Sequence, residues 1–211
     1  MDVKGTAFLA RKVMLIEEIG EDRFNRLVSE FGKKEPIFNQ PIHATTLIPI
    51  AVFVAFNDML VDELYGGDRA AYLRFGEKSA EYALVLGPYK RIRETNSVSV
   101  FVEAARFIYQ GYYTAGRAEG SLDGDTADLR LHGVPCEHKH LYLEYESAAY
   151  VRRGIELIDM HAVTMECVRG FSRGDDEVHY RYVIERTPAP PASFSRVNGR
   201  PSSPSSCPSS K

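Results

Sequence analysis

The chain has 211 residues, 44% of them apolar and 26% charged, with a formal net charge of −3; this is the composition of a globular domain with a sizeable core, without a general attraction to nucleic acid. Its three cysteines, Cys136, Cys167 and Cys207, supply no disulfide framework, and no N-terminal stretch has the pattern of a cleaved leader, so a reducing cytoplasm is expected. The longest apolar run, Thr46 to Phe56, falls short of the roughly 20 residues of a membrane span and reads as a core helix.

Leu9, Val13 and Ile16 share one face of a first helix, which follows Lys4-Gly5 and ends at Gly20. Phe24, Leu27, Val28 and Phe31 form the apolar stripe of a second, closed by Gly32 before the Pro36 to Pro41 loop, and the two make a helical hairpin. Thr45 or Thr46 is the expected cap of a third helix with Pro49 in its first turn, running to Leu64 before Gly66-Gly67. Asp68 caps a fourth, in which Tyr72, Phe75, Tyr82 and Leu86 face one way and Ser79, on the same face, lets a neighbour approach closely; Gly87-Pro88 ends it. Lys90, Arg91 and Arg93, the densest basic group, read as a solvated helix edge.

Ser97 is the expected N-cap of a central helix from Val98 to Tyr113. Val98, Phe101, Ala105, Ile108 and Tyr112 recur on one face, and Val102, Phe107, Tyr109 and Tyr113 widen the apolar surface, which predicts cover on more than one side. After Gly116, strands are expected over Arg117 to Leu122 and Thr126 to His132, turning at Asp123-Gly124; Ala127, Leu129 and Leu131 alternate with Asp128 and Arg130. A further helix runs from about His138 to Ile158, where Leu141, Tyr145, Ala148, Arg152 and Ile155 keep the helical period, and Arg152 requires snorkelling or an acidic partner. A second hairpin alternates Val163, Met165 and Cys167 on one strand and Val178, Tyr180, Tyr182 and Ile184 on the other. From Thr187 the chain is mostly Pro and Ser, the composition of a disordered tail, and Cys207 there reads as an ordinary exposed thiol. The expected architecture is α+β: one domain over residues 1–186, helical first, then a small antiparallel sheet of two hairpins, and a tail over 187–211.

No catalytic signature emerges. The chain has no Gly-x-Ser-x-Gly elbow, Cys136 with any of the histidines is a pair without an orienting third group, and Gly66-Gly67-Asp68 is a turn. Asp58, Asp62, Glu63, Glu144 and Glu146 read as solvated helix faces. His132, Cys136, His138 and His140, with His161, Cys167 and His179, are the densest polar set, but their spacing does not match established zinc motifs; surface histidines and buried small cysteines are expected, with no metal and no cofactor. The aromatic residues Phe101, Phe107, Tyr109, Tyr112, Tyr113, Tyr142, Tyr145, Tyr180 and Tyr182 supply the lining of an apolar pocket, and would equally fill a solid core.

Lys4-Gly5 with Phe8-Leu9-Ala10-Arg11, Tyr112-Tyr113 with Gly116-Arg117, Gly133 before Cys136, Glu166-Cys167 and Gly174-Asp175, taken in order, resemble a myxobacterial family of paralogous proteins without an assigned function, itself similar to the vinyl-reductase-type small-molecule-binding domain. The resemblance covers about residues 3–186. It implies an α+β ligand-binding fold shared with haem nitric-oxide sensors and vesicle-tethering subunits, usually homodimeric, and a binding module, not an enzyme. Zinc in the aromatic-compound sensors of that group sits among cysteines and a glutamate; Cys136 and Cys167 match two positions, Glu166 approximates a third at a different spacing, and Val178 stands where the fourth ligand belongs. The Tyr-x-Ser-x-Arg triplet that holds haem propionates in the haem sensors is absent. These readings together lead to a non-enzymatic regulatory or signalling domain that binds a small apolar ligand between central helix and sheet, with Phe101, Ala105, Tyr109, Tyr113, Cys136, Tyr145 and Cys167 as candidate contacts. The alternative is a homodimeric adaptor with a filled core, which meets a protein partner through its surface and tail.

Overall fold

A computed structural model describes residues 1–186; the expected Pro/Ser tail, with Cys207, lies outside the described residues. The chain opens with a strand, β1 (Asp2–Lys4), paired antiparallel to β2 (Leu47–Pro49) with Val3 opposite Ile48. The sequence reading had Leu47 to Pro49 inside a helix. Proline disfavours helical backbone in the residue before it, so Ile48 extends, pairs with Val3 and is fully buried, and the helix begins only after Pro49.

Helices α1 (Gly5–Ile19) and α2 (Glu21–Gly32) form the expected hairpin about Gly20. With α3 (Ile50–Tyr65) they bury a phenylalanine cluster: Phe8, Phe31 and Phe56 surround Phe38 with ring centroids 4.7 to 5.6 Å apart. Helix α4 (Ala71–Glu81) is shorter than expected, because its last turn, Tyr82–Leu86, widens to π geometry before Gly87; the basic α5 (Lys90–Glu94) follows and carries no buried residue.

The central helix is two helices. Ser97 caps α6 (Val98–Glu103), its hydroxyl accepting from the Val100 amide at 3.3 Å, and α7 (Ala105–Tyr112) follows after Ala104, whose ψ of −4° breaks the regular coil. The expected face is buried, but Phe107 is 66% exposed, contrary to its place in the apolar surface. Strands β3 (Arg117–Asp123) and β4 (Thr126–His132) make the first hairpin, with Gly124 at φ 57° as the first of its two loop residues, a conformation that suits glycine.

After a short turn, α8 (Leu141–Asp159) crosses to β5 (Val163–Arg169) and β6 (Val178–Ile184). The two hairpins join through β4 and β6 into one antiparallel sheet ordered β3-β4-β6-β5, with Leu129 opposite Tyr180. Helix α8 packs on α4 behind and on the sheet and α6 in front. The α4 contact is close: a Cβ at Gly76 would lie 2.2 Å from the Glu146 carbonyl, and Ser79 is buried on the same helix, as its small size suggests. Arg152 finds the acids it requires, pairing with Glu77 and, at 3.8 Å, with Glu156.

Cover on both sides overturns the reading of Glu144 and Glu146 as solvated, since they are 0% and 6% exposed. Tyr145, placed on the expected buried stripe, is only half-buried, because the helix is seated with Tyr142, Glu146 and Tyr150 inward.

Candidate functional site

The candidate site is a cavity of about 50 Å³ between α6 and α7, strands β3 and β4, and α8. Phe101, Val102 and Ala105 reach it from the start of the central helices, and Ile108, Tyr109, Tyr112 and Tyr113 from their end. Ala118, Gly120, Asp128 and Leu129 form the sheet wall; Glu146, Ser147, Tyr150 and Val151 come from α8. Gly120 brings the sheet close, since a Cβ there would lie 2.3 Å from the Val102 carbonyl. Small residues on the strand and rings on the helices thus leave a narrow gap rather than a roomy aromatic pocket.

Four of the residues expected at a ligand, Phe101, Ala105, Tyr109 and Tyr113, line this gap. Cys136, Tyr145 and Cys167 do not. Cys136 is exposed in the turn before α8, against the expectation of a buried cysteine, because that turn lies at the outer end of the helix. Cys167 stands on β5, the edge of the sheet opposite β3, its thiol 3.8 Å from Glu144 Oε1, and burial pushes the thiol pKa up. Among the described residues, no three His, Cys, Asp or Glu side chains converge as a metal would require. The histidines separate: His179 bonds Asp128 at 2.7 Å, His161 bonds Asp159, and His140 caps α8, its Nδ1 accepting from the Tyr142 amide at 3.1 Å.

On α8 the polar chemistry of the cavity comes from Glu146 and Tyr150, which the helical period did not single out. Glu146 Oε2 accepts from the Tyr113 hydroxyl at 3.5 Å, and burial raises the pKa of its carboxyl, a shift that Arg11 opposes. Arg11 is itself 1% exposed; its Nε donates to Asn57 Oδ1 at 2.9 Å and its guanidinium lies 3.7 Å over the Phe75 ring. A buried cation thus stands behind the buried carboxyl, which lowers the cost of burying either. Burial also pushes Tyr109, Tyr112, Tyr113 and Tyr150 well above the ordinary phenol range, so at neutral pH all four keep their protons. Tyr109 donates to the Ala115 carbonyl at 3.2 Å. The hydroxyls of Tyr112 and Tyr150 are buried and have no hydrogen-bond partner among the described residues. Glu146 and Tyr150 are four apart on α8, the spacing that puts both on one helical face, and this was the one sequence signal for them.

Glu144, two residues from Glu146, points the opposite way and does structural work. It accepts from the Ser172 amide and hydroxyl at 2.7 and 2.8 Å and from the Tyr180 hydroxyl at 3.0 Å.

No protein-family model and no curated protein matches the chain. Solved structures do. An H-NOX protein from S. oneidensis in its Fe(II)NO state superposes with a TM-score of 0.69 at 11% identity, over 87% of this chain and 99% of that one. An oxygen-binding H-NOX domain related to soluble guanylate cyclases gives 0.62 at 15% identity over 87% and 95%. A structure concerned with haem redox potential and protein-induced porphyrin distortion gives 0.63 at 15% identity over 86% and 99%. The residues present do not fit a haem: no imidazole or thiolate lines the cavity, the phenols that could ligate iron are held protonated, and about 50 Å³ is far below the roughly 300 Å³ at which ordinary ligand pockets begin. At this level of identity the likeness establishes the fold, and the chain is an α+β domain with the H-NOX architecture.

Proposed function

We propose that this domain is a non-enzymatic sensor or regulator that binds a small, largely apolar molecule in the cavity between the central helices, the sheet and α8. The observation that carries this reading is the cavity itself, walled mainly by apolar and aromatic side chains at the junction of three elements. Its place between helices and sheet in a fold shared with H-NOX domains, and the resemblance to the myxobacterial family, support it further. A cavity shared by the central helices, the sheet and α8 is suited to regulation, because a guest that prefers one packing of those elements shifts their equilibrium toward it.

Size bounds the guest. An apolar cavity of about 150 Å³ takes benzene, so 50 Å³ suits a molecule of about two or three non-hydrogen atoms. At a ceiling of about 1.5 kcal/mol per atom, such a guest gains at most about 4.5 kcal/mol, a Kd near 1 mM.

Xenon tests the reading. Amide spectra of the full chain under xenon pressure should shift at Ala105, Tyr109, Gly120 and Ser147 and return on degassing. Tyr109→Ala, which removes on the order of 100 Å³ of ring, should make room for benzene and be stabilised by it. Spectra that stay unchanged under xenon, with a variant that ignores benzene, would mean a filled core and favour the homodimeric adaptor.

A further inference from the structure

Resting on the reading of the cavity as a ligand site, we propose that its guest is a small neutral molecule with a hydrogen-bond-accepting oxygen, an alcohol, ether or carbonyl compound, held by the Tyr112 and Tyr150 hydroxyls. Both side chains line the cavity at 5% and 6% exposure; their hydroxyls lie near enough to perturb each other, but neither makes a hydrogen bond of ordinary geometry with the other or with any other described residue. Their rings stand 6.1 Å apart and nearly perpendicular, one on α7 and the other on α8, so the two hydroxyls come from separate walls of the same space. A buried hydroxyl without a partner carries an unrelieved desolvation cost. Two of them at one small cavity constitute a polar end to an otherwise apolar site, the arrangement by which ligand pockets orient what they bind.

The charges around them select the class. Glu146 and Asp128 line the same cavity; Tyr113 donates to the first, and His179 and Arg181 pair with the second, so both carboxylates are already engaged, and they repel an anionic guest. Arg11 stands behind Glu146 as a buried positive charge, so a cationic guest is not called for. What remains unmatched is hydrogen-bond donation, and a neutral oxygen accepts it. An oxygen lone pair directed between the two hydroxyls would bridge α7 to α8, tying the central helix to the helix that carries Glu144 and the β5–β6 turn.

The test uses the full chain and compares xenon, ethanol, dimethyl ether and propane by amide chemical shifts, in the wild type and in Tyr112→Phe, Tyr150→Phe and the double variant. Dimethyl ether and propane are matched in size, and only the ether has an acceptor. In the wild type, ethanol and dimethyl ether should displace xenon, and the ether should bind at least tenfold more tightly, relative to its partition from water into hydrocarbon, than propane. Each Phe variant should lose about tenfold in ethanol affinity while xenon binding is kept or strengthened. If xenon binds but ethanol and ether are indifferent to both hydroxyls, the polar assignment is overturned and the cavity reading survives. If no probe shifts any lining amide, both fall. Should a variant not fold, the ether and propane comparison in the wild type decides alone.

Discussion

Replacing Glu144 with alanine removes the acceptor that ties the β5–β6 turn to α8, and the structure sets the size of the loss. Three oxygen and nitrogen donors converge on this carboxylate, the Ser172 amide, the Ser172 hydroxyl and the Tyr180 hydroxyl, with the weaker Cys167 thiol at 3.8 Å, and Gly170 packs so closely that a Cβ there would lie 2.3 Å from Oε1. The donors are not equivalent. Ser172 is exposed, so water replaces the carboxylate and each of its bonds costs about 0.5 to 1 kcal/mol. The Tyr180 hydroxyl belongs to a side chain only 4% exposed; left unpaired it costs about 1 to 2 kcal/mol. The sum is about 3 kcal/mol, less than the full value of three charge-assisted bonds because the turn relaxes. Urea unfolding at pH 7 measures it, and hydrogen exchange should show the Ser172 amide losing protection while β3 and β4 keep theirs. Ser172→Ala, which deletes one bond, should cost about 1 kcal/mol. A Glu144→Ala loss below 1 kcal/mol would refute the reasoning, since it would mean that the buried carboxylate is as costly to bury as its bonds are worth.

Glu146→Gln should flatten the pH dependence of stability. Burial raises the folded-state carboxyl pKa, so its contribution is fully present below the unfolded value of about 4.5 and falls as pH rises through the folded value. The variant, which cannot ionise, should gain on the wild type as the pH rises above about 4.5, the gain levelling off beyond the raised folded value, and urea midpoints that stay parallel from pH 4 to pH 8 would contradict this. His140→Asn tests the opposite sign: burial is the main cause lowering the histidine pKa, Arg69 adds to it and Asp58 opposes it. The wild type should therefore lose stability as pH falls below about 6.5, toward the lower folded value, because a protonated Nδ1 cannot accept from the Tyr142 amide. Asparagine caps without titrating, so the variant should hold its urea midpoint better than the wild type between pH 7.5 and 5.5; an equal loss in both would place the sensitivity elsewhere.

The α+β class, the order of the larger helices and the two hairpins, the Ser97 cap, the hairpin at Gly124 and the inward alternation of Ala127, Leu129 and Leu131 follow from local chemistry, because caps, turns and periodicity act over a few residues. Phe101, Ala105, Tyr109 and Tyr113 could be named for the same reason: each belongs to the apolar surface of one helix, and an apolar surface must find cover. Other features depend on partners distant in sequence. Leu47 to Pro49 is a strand only because residues 2–4 lie beside it, and Tyr145 gives way to Glu146 and Tyr150 only because α8 is gripped between α4 and the sheet. Helical period reports one hydrophobic stripe, and it is silent on a helix covered from both sides, where carboxylates go inside if donors such as Ser172, Tyr180 and Tyr113 meet them there. The volume of the cavity and the unpaired hydroxyls of Tyr112 and Tyr150 were decided in the same way, by how rings from α7 and α8 meet across the small residues of β3, a fit set by packing in three dimensions.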